Sequence, residues 1–271
     1  MLPTIIRTVF RSLAIELAVV LALSACAHAQ QSTLATPATP AQLERATERL
    51  EAWRKGRQRI YMDDFGELKR YRAANAKLKA PAAGEKRVVF FGDSITDVWP
   101  LATAFPGKPY VNRGISGQTT SQMLVRFRDD VIALAPKVVV ILAGTNDIAG
   151  NTGPISPEDI QGNITSLVEL ARAHGIQVVL SSVLPVHNYT AAAETRFPRR
   201  PPEQIAALNK WMKAYAASSG SVYLDYATPM SDDKGLLRRE LAEDGLHPNP
   251  AGYAVMTPLA EQAIAKALAG G

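Results

Sequence analysis

The chain of 271 residues is 47% hydrophobic and 20% charged, the composition of an ordinary globular protein with a substantial core. Glycine and proline, at 18 residues each, are near their average frequencies, so neither a collagen-like nor a disordered protein is indicated. The formal charge of +5 comes from scattered basic residues rather than a basic stripe interleaved with aromatic residues, so nothing indicates nucleic-acid binding.

Residues 1–25 have the pattern of an export signal. Arg7 and Arg11 give it a positive start, and an apolar run follows that is much shorter than the roughly 18 residues of a membrane-spanning helix. Two cleavage sites compete: LSAC, ending at Cys26, is similar to a bacterial lipobox, whereas AHA at 27–29 fits the ordinary signal peptidase. We favour the lipobox, because the only cysteine lies where that motif requires it.

An acylated Cys26 would anchor the protein in a membrane of the cell envelope, with the folded part facing the periplasm or the outside. Ordinary cleavage would instead give a periplasmic or secreted protein. The single cysteine excludes a disulfide within the chain. The sequence indicates no oligomeric state.

A tether and a helix are expected next. Residues 26–40 are rich in Ala, Thr, Pro, Gln and Ser, with little that could pack, which predicts a flexible tether. Thr39, Pro40 and Gln42 then form a capping pattern, with a threonine N-cap, proline at the first helical position and glutamine three residues after the cap. Apolar residues at helical spacing predict an amphipathic helix over 40–58.

A second helical stretch is expected over roughly 64–79. Together the two helices would form an N-terminal extension, residues 41–80, packed on the main domain. The main domain would then occupy residues 81–271. The sequence indicates no function for the extension.

From residue 86 the chain alternates between short strands and amphipathic helices. The strands are apolar on both faces, as buried parallel strands are, and are predicted at 88–91, 110–111, 138–142, 178–180 and 222–224. Helices are predicted at 118–134, 157–173 and 203–217. This alternation predicts a doubly wound α/β sheet, in which ligands bind where the carboxyl ends of the strands meet their loops.

The first such loop carries Ser94, just after Gly92, which permits a sharp turn. Ser94 would lie near the start of a helix, where free N–H groups and the helix dipole favour a developing negative charge. A serine hydroxyl becomes a good nucleophile only when a base takes its proton. By itself, a serine in this place is usually an N-cap.

The second and third loops offer groups that could bind an oxyanion. Gly114 and Gly117 would let backbone N–H groups approach a substrate oxygen, although a turn and a helix start explain them as well. Ser116 is a second candidate nucleophile, but it lacks the G-x-S-x-G frame, since glutamine follows where the last glycine belongs. Asn146 could donate its amide N–H to an oxyanion or could hold an Asx turn.

The last loop places Asp244 three residues before His247. An aspartate there can fix the imidazole tautomer and stabilise the imidazolium. Of the other histidines, His28 lies in the leader or tether, and His174 precedes a glycine at a helix end, where capping explains it. His187 follows a strand end and could line a pocket, but no acid lies near it in sequence. By elimination, His247 is the expected base.

Together these loops resemble the SGNH, or GDSL-like, hydrolase superfamily. The matching blocks, in the family's order over about residues 88–255, are GDSIT at 92–96, Gly114, GTND at 144–147 and DGLHPN at 244–249. The resemblance implies a flavodoxin-like three-layer α/β/α sandwich with a five-stranded, mostly parallel sheet. It also implies hydrolysis of esters or thioesters without a metal or other cofactor.

The resemblance assigns a role to each block. Ser94 would be the nucleophile and would also donate its backbone N–H to the oxyanion. The Gly114 N–H and the Asn146 side-chain amide would be the other oxyanion donors. Asp244 and His247 would complete the catalytic triad.

The sequence thus predicts a serine esterase acting on carboxylic esters through an acyl-enzyme. No large helical insertion separates the blocks, so we expect an open rim and short-chain or acetyl ester substrates, carbohydrate esters among them. The irregular segment 187–202 contains Arg196, Arg199 and Arg200, which either contact an acidic or sugar substrate or are simply solvated.

Other interpretations remain open from the residues alone. One is a lysophospholipase- or thioesterase-type acylhydrolase, and another is a surface lipoprotein that binds glycans without turning them over. A metal-dependent phosphodiesterase would have to use the acidic pairs at 63–64, 129–130 or 232–233. None of these pairs has a histidine at ligand spacing, so no metal site is predicted.

Overall fold

The centre of the computed structural model, which describes residues 38–270, is a five-stranded sheet. Its strands are β1 (Val88–Gly92), β2 (Tyr110–Gly114), β3 (Val138–Leu142), β4 (Gln177–Ser181) and β5 (Val222–Leu224). They are ordered β2-β1-β3-β4-β5, and all four neighbouring pairs are parallel. This is the flavodoxin-like order. The predicted fold class is confirmed, and a sheet expected to be mostly parallel is parallel throughout.

Strand β2 runs three residues beyond its predicted end. The prediction stopped where apolar residues give way to Asn112, Arg113 and Gly114, but these pair with the buried strand β1 in the same register as the residues before them. Polar side chains are tolerated here because each finds a partner. Asn112 Nδ2 donates to Thr96 O at 2.6 Å, and Arg113 Nε donates to Asn75 Oδ1 at 2.8 Å.

Helices cover both faces of the sheet. In chain order they are α1 (Pro40–Asp63), α2 (Lys69–Lys77), α3 (Ser94–Asp97), α4 (Leu101–Ala104), α5 (Thr120–Asp130), α6 (Thr145–Ile148), α7 (Pro157–Ala173), α8 (Pro202–Ser219), α9 (Ala227–Met230) and α10 (Pro250–Ala269). The C-terminal helix α10 packs on β3, β4 and β5 together with α4 and α9, whereas on the other face α7 packs against both α5 and α8. These are the three layers that the sequence predicts.

Neighbouring residues of β1 point to opposite faces of the sheet and pack into the hydrophobic cores on those two faces. Phe90 packs among Trp99 and Phe105 in the core that includes α10. Phe91 points the other way, and its ring meets Phe127 of α5 edge-on at 5.3 Å between centroids. Both phenylalanines are buried, which explains why this strand is apolar at every position.

The N-terminal helix begins as predicted. Thr39 is its N-cap and exchanges hydrogen bonds with Gln42, so the capping box is present. The helix continues to Asp63, five residues past the predicted end. The next helix, α2, is shorter than predicted, because the Asp64 carboxylate accepts the backbone N–H groups of Leu68 and Lys69 and holds the preceding residues in a turn.

Helix α2 and the turn before it contact the edge of the sheet. Tyr71 donates its hydroxyl to the Gly114 carbonyl, and Asn75 Nδ2 donates to Asp130 Oδ1 at 2.7 Å. Gln118 Nε2 donates to Gly66 O at 3.0 Å. The boundary between an extension at 41–80 and a main domain at 81–271 stays a prediction. The predicted signal peptide, the acylated Cys26 and most of the tether lie outside the described residues.

Of the helices within residues 38–270, none has a stretch both long and apolar enough to span a bilayer.

Arg126 of α5 is the most completely buried cation beneath the sheet's carboxyl edge, with 0% of its surface exposed. Its Nη2 donates to Gly92 O at 3.0 Å, and its Nη1 donates to Arg113 O at 2.8 Å. Asp130, one turn further along α5, pairs with the same guanidinium at 3.1 Å. One side chain thus joins the ends of β1 and β2 to the helix that covers them.

Replacement of this arginine tests how much the fold depends on it. We expect Arg126→Met to lower the free energy of unfolding by about 3–5 kcal/mol, because it leaves the buried Asp130 charge without its partner. Arg128→Met, an exposed position of the same helix, should change it by less than about 0.5 kcal/mol. Urea denaturation followed by circular dichroism measures both. Equal effects of the two substitutions would contradict the anchoring role.

Candidate active site

Ser94 lies directly beyond the carboxyl end of β1, at the first position of α3. The Asp93 side chain caps this helix by accepting the Ile95 N–H at 3.0 Å. As the first helical residue, Ser94 has a backbone N–H with no partner inside the helix, and that N–H lies at the positive end of the helix dipole. Burial raises the pKa of the Asp93 carboxyl to about 6.

The structure brings Ser94, His247 and Asp244 together. The distance from Ser94 Oγ to His247 Nε2 is 2.8 Å, and that from His247 Nδ1 to Asp244 Oδ2 is 2.7 Å. A carboxylate only accepts hydrogen bonds, so the proton of the neutral imidazole belongs on Nδ1. His247 Nε2 is then free to accept the Ser94 hydroxyl proton, as a general base must.

Asp244 is held as a carboxylate. Partial burial acts to raise its pKa, but the hydrogen bonds from the His247 side chain and from the backbone N–H groups of His247 and Leu246 outweigh burial and hold the pKa well below its usual range. Arg196 Nε also lies 3.2 Å from the oxygen that faces the imidazole. Asp244 therefore stays ionised throughout the neutral range and could stabilise an imidazolium.

The loop that carries Asp244 and His247 depends on His187. The His187 backbone N–H donates to Gly245 O at 3.0 Å, and its Nε2 donates to Ala242 O at 2.7 Å. Its Nδ1 accepts the Tyr189 N–H at 3.2 Å. Both ring nitrogens are thus occupied, and the ring is fully buried. His187 supports the loop from behind, in place of the pocket-lining position considered from the sequence.

Asn146 lies in α6, beyond the end of β3, and both ends of its amide are bound. Nδ2 donates to Gln118 O at 3.0 Å, and Oδ1 accepts from Arg200 Nη2 at 3.1 Å. One of the two Nδ2 hydrogens remains available, since an amide NH₂ can donate twice. That hydrogen could be donated to an oxyanion.

Gly114 does not offer the free N–H that the resemblance assigns to it. Its N–H donates to Asn112 Oδ1 at 2.8 Å. The need for glycine comes from close packing, since a Cβ at this position would lie 2.1 Å from Asp97 N. By contrast, Gly117, three residues further along, has a φ of +82°, and within residues 38–270 its N–H has no hydrogen-bond acceptor.

Two other candidates from the sequence lie outside the triad. Ser116 donates both its hydroxyl and its backbone N–H to Asp97 Oδ2, at 2.7 and 3.1 Å, so it is not bonded to a histidine. His174 Nδ1 lies 2.8 Å from Leu170 O at the end of α7, where it caps the helix.

The acidic pairs weighed from the sequence are used in local structure. Asp64 caps a turn, Asp130 pairs with Arg126, and Asp232 accepts the backbone N–H groups of a turn of its own. In the part of the chain that the structure describes, no three His, Cys, Asp or Glu side chains lie close enough together to hold a metal ion.

From the sequence, Arg126 does not stand out and Arg196 and Arg200 have no definite role, although all three lie at the site. Arg126 lies beneath Gly92, Arg196 contacts Asp244, and Arg200 contacts Asn146. The sequence offered a weak signal for the last two, as members of an arginine-rich irregular segment between a strand and a helix. It offered none for Arg126, which has the spacing of an ordinary helical residue, because arginine is usually exposed.

Comparison with known proteins decides the family. The sequence model of the GDSL-like lipase/acylhydrolase family matches residues 90–255, more than half of the chain. The chain belongs to this family. The resemblance to SGNH hydrolases seen in the sequence is therefore confirmed, and the protein is a GDSL-type hydrolase of ester bonds.

Similar proteins support this assignment. A GDSL-like lipase from Bacteroides thetaiotaomicron VPI-5482 has a crystal structure with 44% identity and a TM-score of 0.69, covering 76% of this chain and all of that one. An acetylxylan esterase from Geobacillus stearothermophilus is 28% identical over 64% of this chain and 91% of its own length. The lipoprotein YqeF of Bacillus subtilis is 34% identical, but the match spans only half of its length.

Alanine substitutions at two glycines test whether close packing around the Asp244–His247 loop of this GDSL hydrolase matters for stability and activity. Gly245 and Gly235 have φ values of +77° and +73°, but only a Cβ at Gly245 would collide, 2.4 Å from His187 O. Both alanine variants should lose about 1–2 kcal/mol from the left-handed backbone. We expect Gly245→Ala to lose more in urea denaturation and also to lower ester hydrolysis, whereas Gly235→Ala keeps its activity. Equal stability and activity of the two variants would disprove this.

Proposed function

We propose that this protein is a serine esterase that hydrolyses carboxylic esters through a Ser94–His247–Asp244 triad. The observation that carries the proposal is the unbroken hydrogen-bonded chain from the Ser94 hydroxyl through the His247 imidazole to the Asp244 carboxylate. Membership of an ester-hydrolysing family and the position of Ser94 at a helix N-terminus support it.

The proposed reaction has two halves. His247 Nε2 takes the Ser94 proton as Ser94 Oγ attacks the ester carbonyl carbon, and the carbonyl oxygen becomes an oxyanion. Collapse of this intermediate breaks the bond to the alcohol, which leaves with the proton from His247. Water then attacks the acyl-enzyme with His247 again as base, and the carboxylic acid departs as Ser94 regains its proton.

Three donors are proposed to hold the oxyanion. Two are those inferred from the sequence, the Ser94 backbone N–H and the Asn146 Nδ2–H. For the third, we propose the Gly117 N–H in place of that of Gly114, since the latter is occupied by Asn112. Preorganised donors of this kind supply a large share of the rate in acyl transfer.

The substrate is proposed to be an acetyl or other short-chain ester, with carbohydrate esters as the first class to examine. Between β1 and β2 the chain forms only the two four-residue helices α3 and α4, so no helical cap is inserted there. A relative that is an acetylxylan esterase, matched over 91% of its length, favours the same class.

A panel of p-nitrophenyl esters, from acetate to palmitate, tests both parts of this proposal. Residues 27–271 should hydrolyse the acetate fastest, and Ser94→Ala should be inactive, since loss of the nucleophile in a serine triad costs on the order of 10⁶ in kcat. Ser166→Ala, which removes a hydroxyl on α7 that donates only to Gly162 O of the same helix, is the matched control and should keep full activity.

The possible outcomes separate the claims. Activity that persists in Ser94→Ala would overturn the triad mechanism. A preference for palmitate would leave the mechanism standing and overturn the short-chain substrate in favour of a lipase or lysophospholipase. Absence of turnover, with no labelling by a serine-reactive phosphonate, would favour the non-catalytic glycan-binding alternative.

We also propose that the protein is exported and held at a membrane through a lipid on Cys26. The LSAC run supports this, as does the similarity to a Bacillus lipoprotein. Full-length protein expressed in a bacterium should enter the detergent phase of a Triton X-114 extraction, and Cys26→Ala should move it to the aqueous phase. Equal partitioning of the two would contradict the lipid anchor and favour ordinary cleavage at 27–29.

A further inference from the structure

Arg200 is a buried guanidinium beside the proposed oxyanion hole, with only 4% of its surface exposed. Its three nitrogen atoms all donate hydrogen bonds. Nε donates to Thr145 Oγ1 at 3.0 Å, Nη2 to Asn146 Oδ1 at 3.1 Å and Nη1 to Arg196 O at 3.3 Å. Two of these acceptors belong to the first two residues of α6, so the side chain is hydrogen-bonded to the start of that helix.

This buried charge has no direct counter-ion. Among residues 38–270, no carboxylate lies within 4 Å of the Arg200 guanidinium. Burial, with a smaller contribution from nearby Arg199, lowers its pKa to about 9, so the side chain remains charged at neutral pH. Removing an ion from water costs several kcal/mol, and neutral acceptors offset only part of that cost. Buried ionisable groups with a perturbed pKa cluster at functional sites, and Arg200 is such a group.

The Arg200 guanidinium helps to fix the orientation of the Asn146 amide. An arginine can only donate, so the amide atom that faces Arg200 must be Oδ1. The Gln118 carbonyl can only accept, so the atom that faces it must be Nδ2. Two independent partners therefore require the same orientation of the amide. A flipped amide would place NH₂ against a guanidinium and oxygen against oxygen.

Arg200 also polarises the amide that it holds. A charged donor at Oδ1 draws electron density towards the oxygen and makes the Nδ2 hydrogens better donors. In a buried site this effect is stronger than in water. The hydrogen that Gln118 does not use is the one that benefits an oxyanion.

The backbone around Arg200 is suited to a fixed donor. Pro201 and Pro202 follow directly, and a proline restricts the conformation of the residue before it. On the other side, the Arg200 N–H donates to Phe197 O at 2.9 Å in a 3₁₀ turn. The side chain thus leaves from a stiff point between a turn and the start of α8.

We propose that Arg200 is a positioning residue of the oxyanion hole, which holds the Asn146 amide in its productive orientation and strengthens the N–H that it offers to the oxyanion. This inference rests on the proposed esterase function. It assigns to Arg200 a role in the chemical step, acting through Asn146 and without contact to the ester itself.

Kinetics of Arg200→Met test this role on the ester that the wild-type protein hydrolyses best. Loss of a whole oxyanion donor costs on the order of 10²–10³ in kcat, so a misplaced or weakened amide should cost about 10–100-fold. KM should change by much less, because the oxyanion forms only in the transition state. Arg200→Lys should retain part of the activity, since lysine keeps the charge but lacks the planar fork of donors.

A double-mutant cycle separates action through Asn146 from a general loss of structure. In an Asn146→Ala background, Arg200→Met should cause little further loss of kcat, because the group on which it acts is gone. Equal losses in the two backgrounds would overturn the proposal. So would wild-type kcat in folded Arg200→Met.

Arg87 supplies the matched control. It is also a buried arginine, 5% exposed, and it donates to the carbonyls of Leu134 and Lys79 next to the start of β1, away from the carboxyl edge. Arg87→Met should lower the melting temperature and leave kcat unchanged. If Arg87→Met lowered kcat as much as Arg200→Met does, loss of any buried arginine would lower kcat equally. That result would overturn a specific role for Arg200 in the oxyanion hole.

A measurement without substrate distinguishes failure of this inference from failure of the esterase proposal. Hydrogen exchange of the Asn146 side-chain NH₂ is followed by NMR in ¹⁵N-labelled protein. Exchange should speed up in Arg200→Met, and an unchanged rate would overturn the positioning role even if the wild-type protein hydrolyses no ester. Should Arg200→Met not fold, Arg200→Lys decides by the same two readouts: unchanged kcat and unchanged exchange contradict the proposal.

Discussion

The hydrogen bond between Ser94 Oγ and His247 Nε2 joins residues 153 positions apart in the sequence. The order of the sheet and the packing of its helices bring these two residues together. The sheet order places β1 between β2 and β3, so the loops that carry Ser94, Gly117 and Asn146 leave from adjacent strand ends. The loop with His247 precedes α10, which packs on β3, β4 and β5. A parallel sheet brings these segments to one edge, because all its strands end on the same side.

Buried arginines hold that edge together. Arg126 donates to the carbonyls that end β1 and β2, and Arg200 donates to two side chains of α6. Loops at a strand edge leave carbonyl groups without ladder partners, and a guanidinium has five donors in a rigid fork to satisfy them. The first arginine is paired with Asp130, whereas no carboxylate among residues 38–270 lies within 4 Å of the Arg200 guanidinium. The same chemistry therefore serves stability in one place and, as we propose, catalysis in the other.

The sequence predicted the three α/β/α layers well, because runs of apolar residues mark the strands and helix faces that are buried. It placed all five strands, with one residue missed at the end of β1, one at each end of β4 and three at the end of β2, where Asn112 and Arg113 are polar but hydrogen-bonded. For the site, the sequence named Ser94, His247 and Asp244, which the structure brings within hydrogen-bonding distance of one another. The role that the resemblance gave to Gly114 does not fit its contacts, because its N–H is bonded to Asn112, and glycine is needed there because a Cβ would collide with Asp97, which only the folded chain reveals. Arg126 escaped for the same reason: its burial depends on partners that are distant in sequence.

The N-terminal helices lie outside the residues matched by the family, yet they contact the candidate site. Arg54 Nε of α1 donates to Asn151 O at 3.2 Å, and Asn151 Nδ2 donates to Gly117 O at 3.0 Å. The Trp53 ring packs so closely on Gly117 that a Cβ there would lie 2.8 Å from it. Helix α1 therefore forms the outer wall of the loop that carries Gly117. Because the N–H of that glycine is a proposed oxyanion donor, this helix supports the geometry of the site from outside the motif loops.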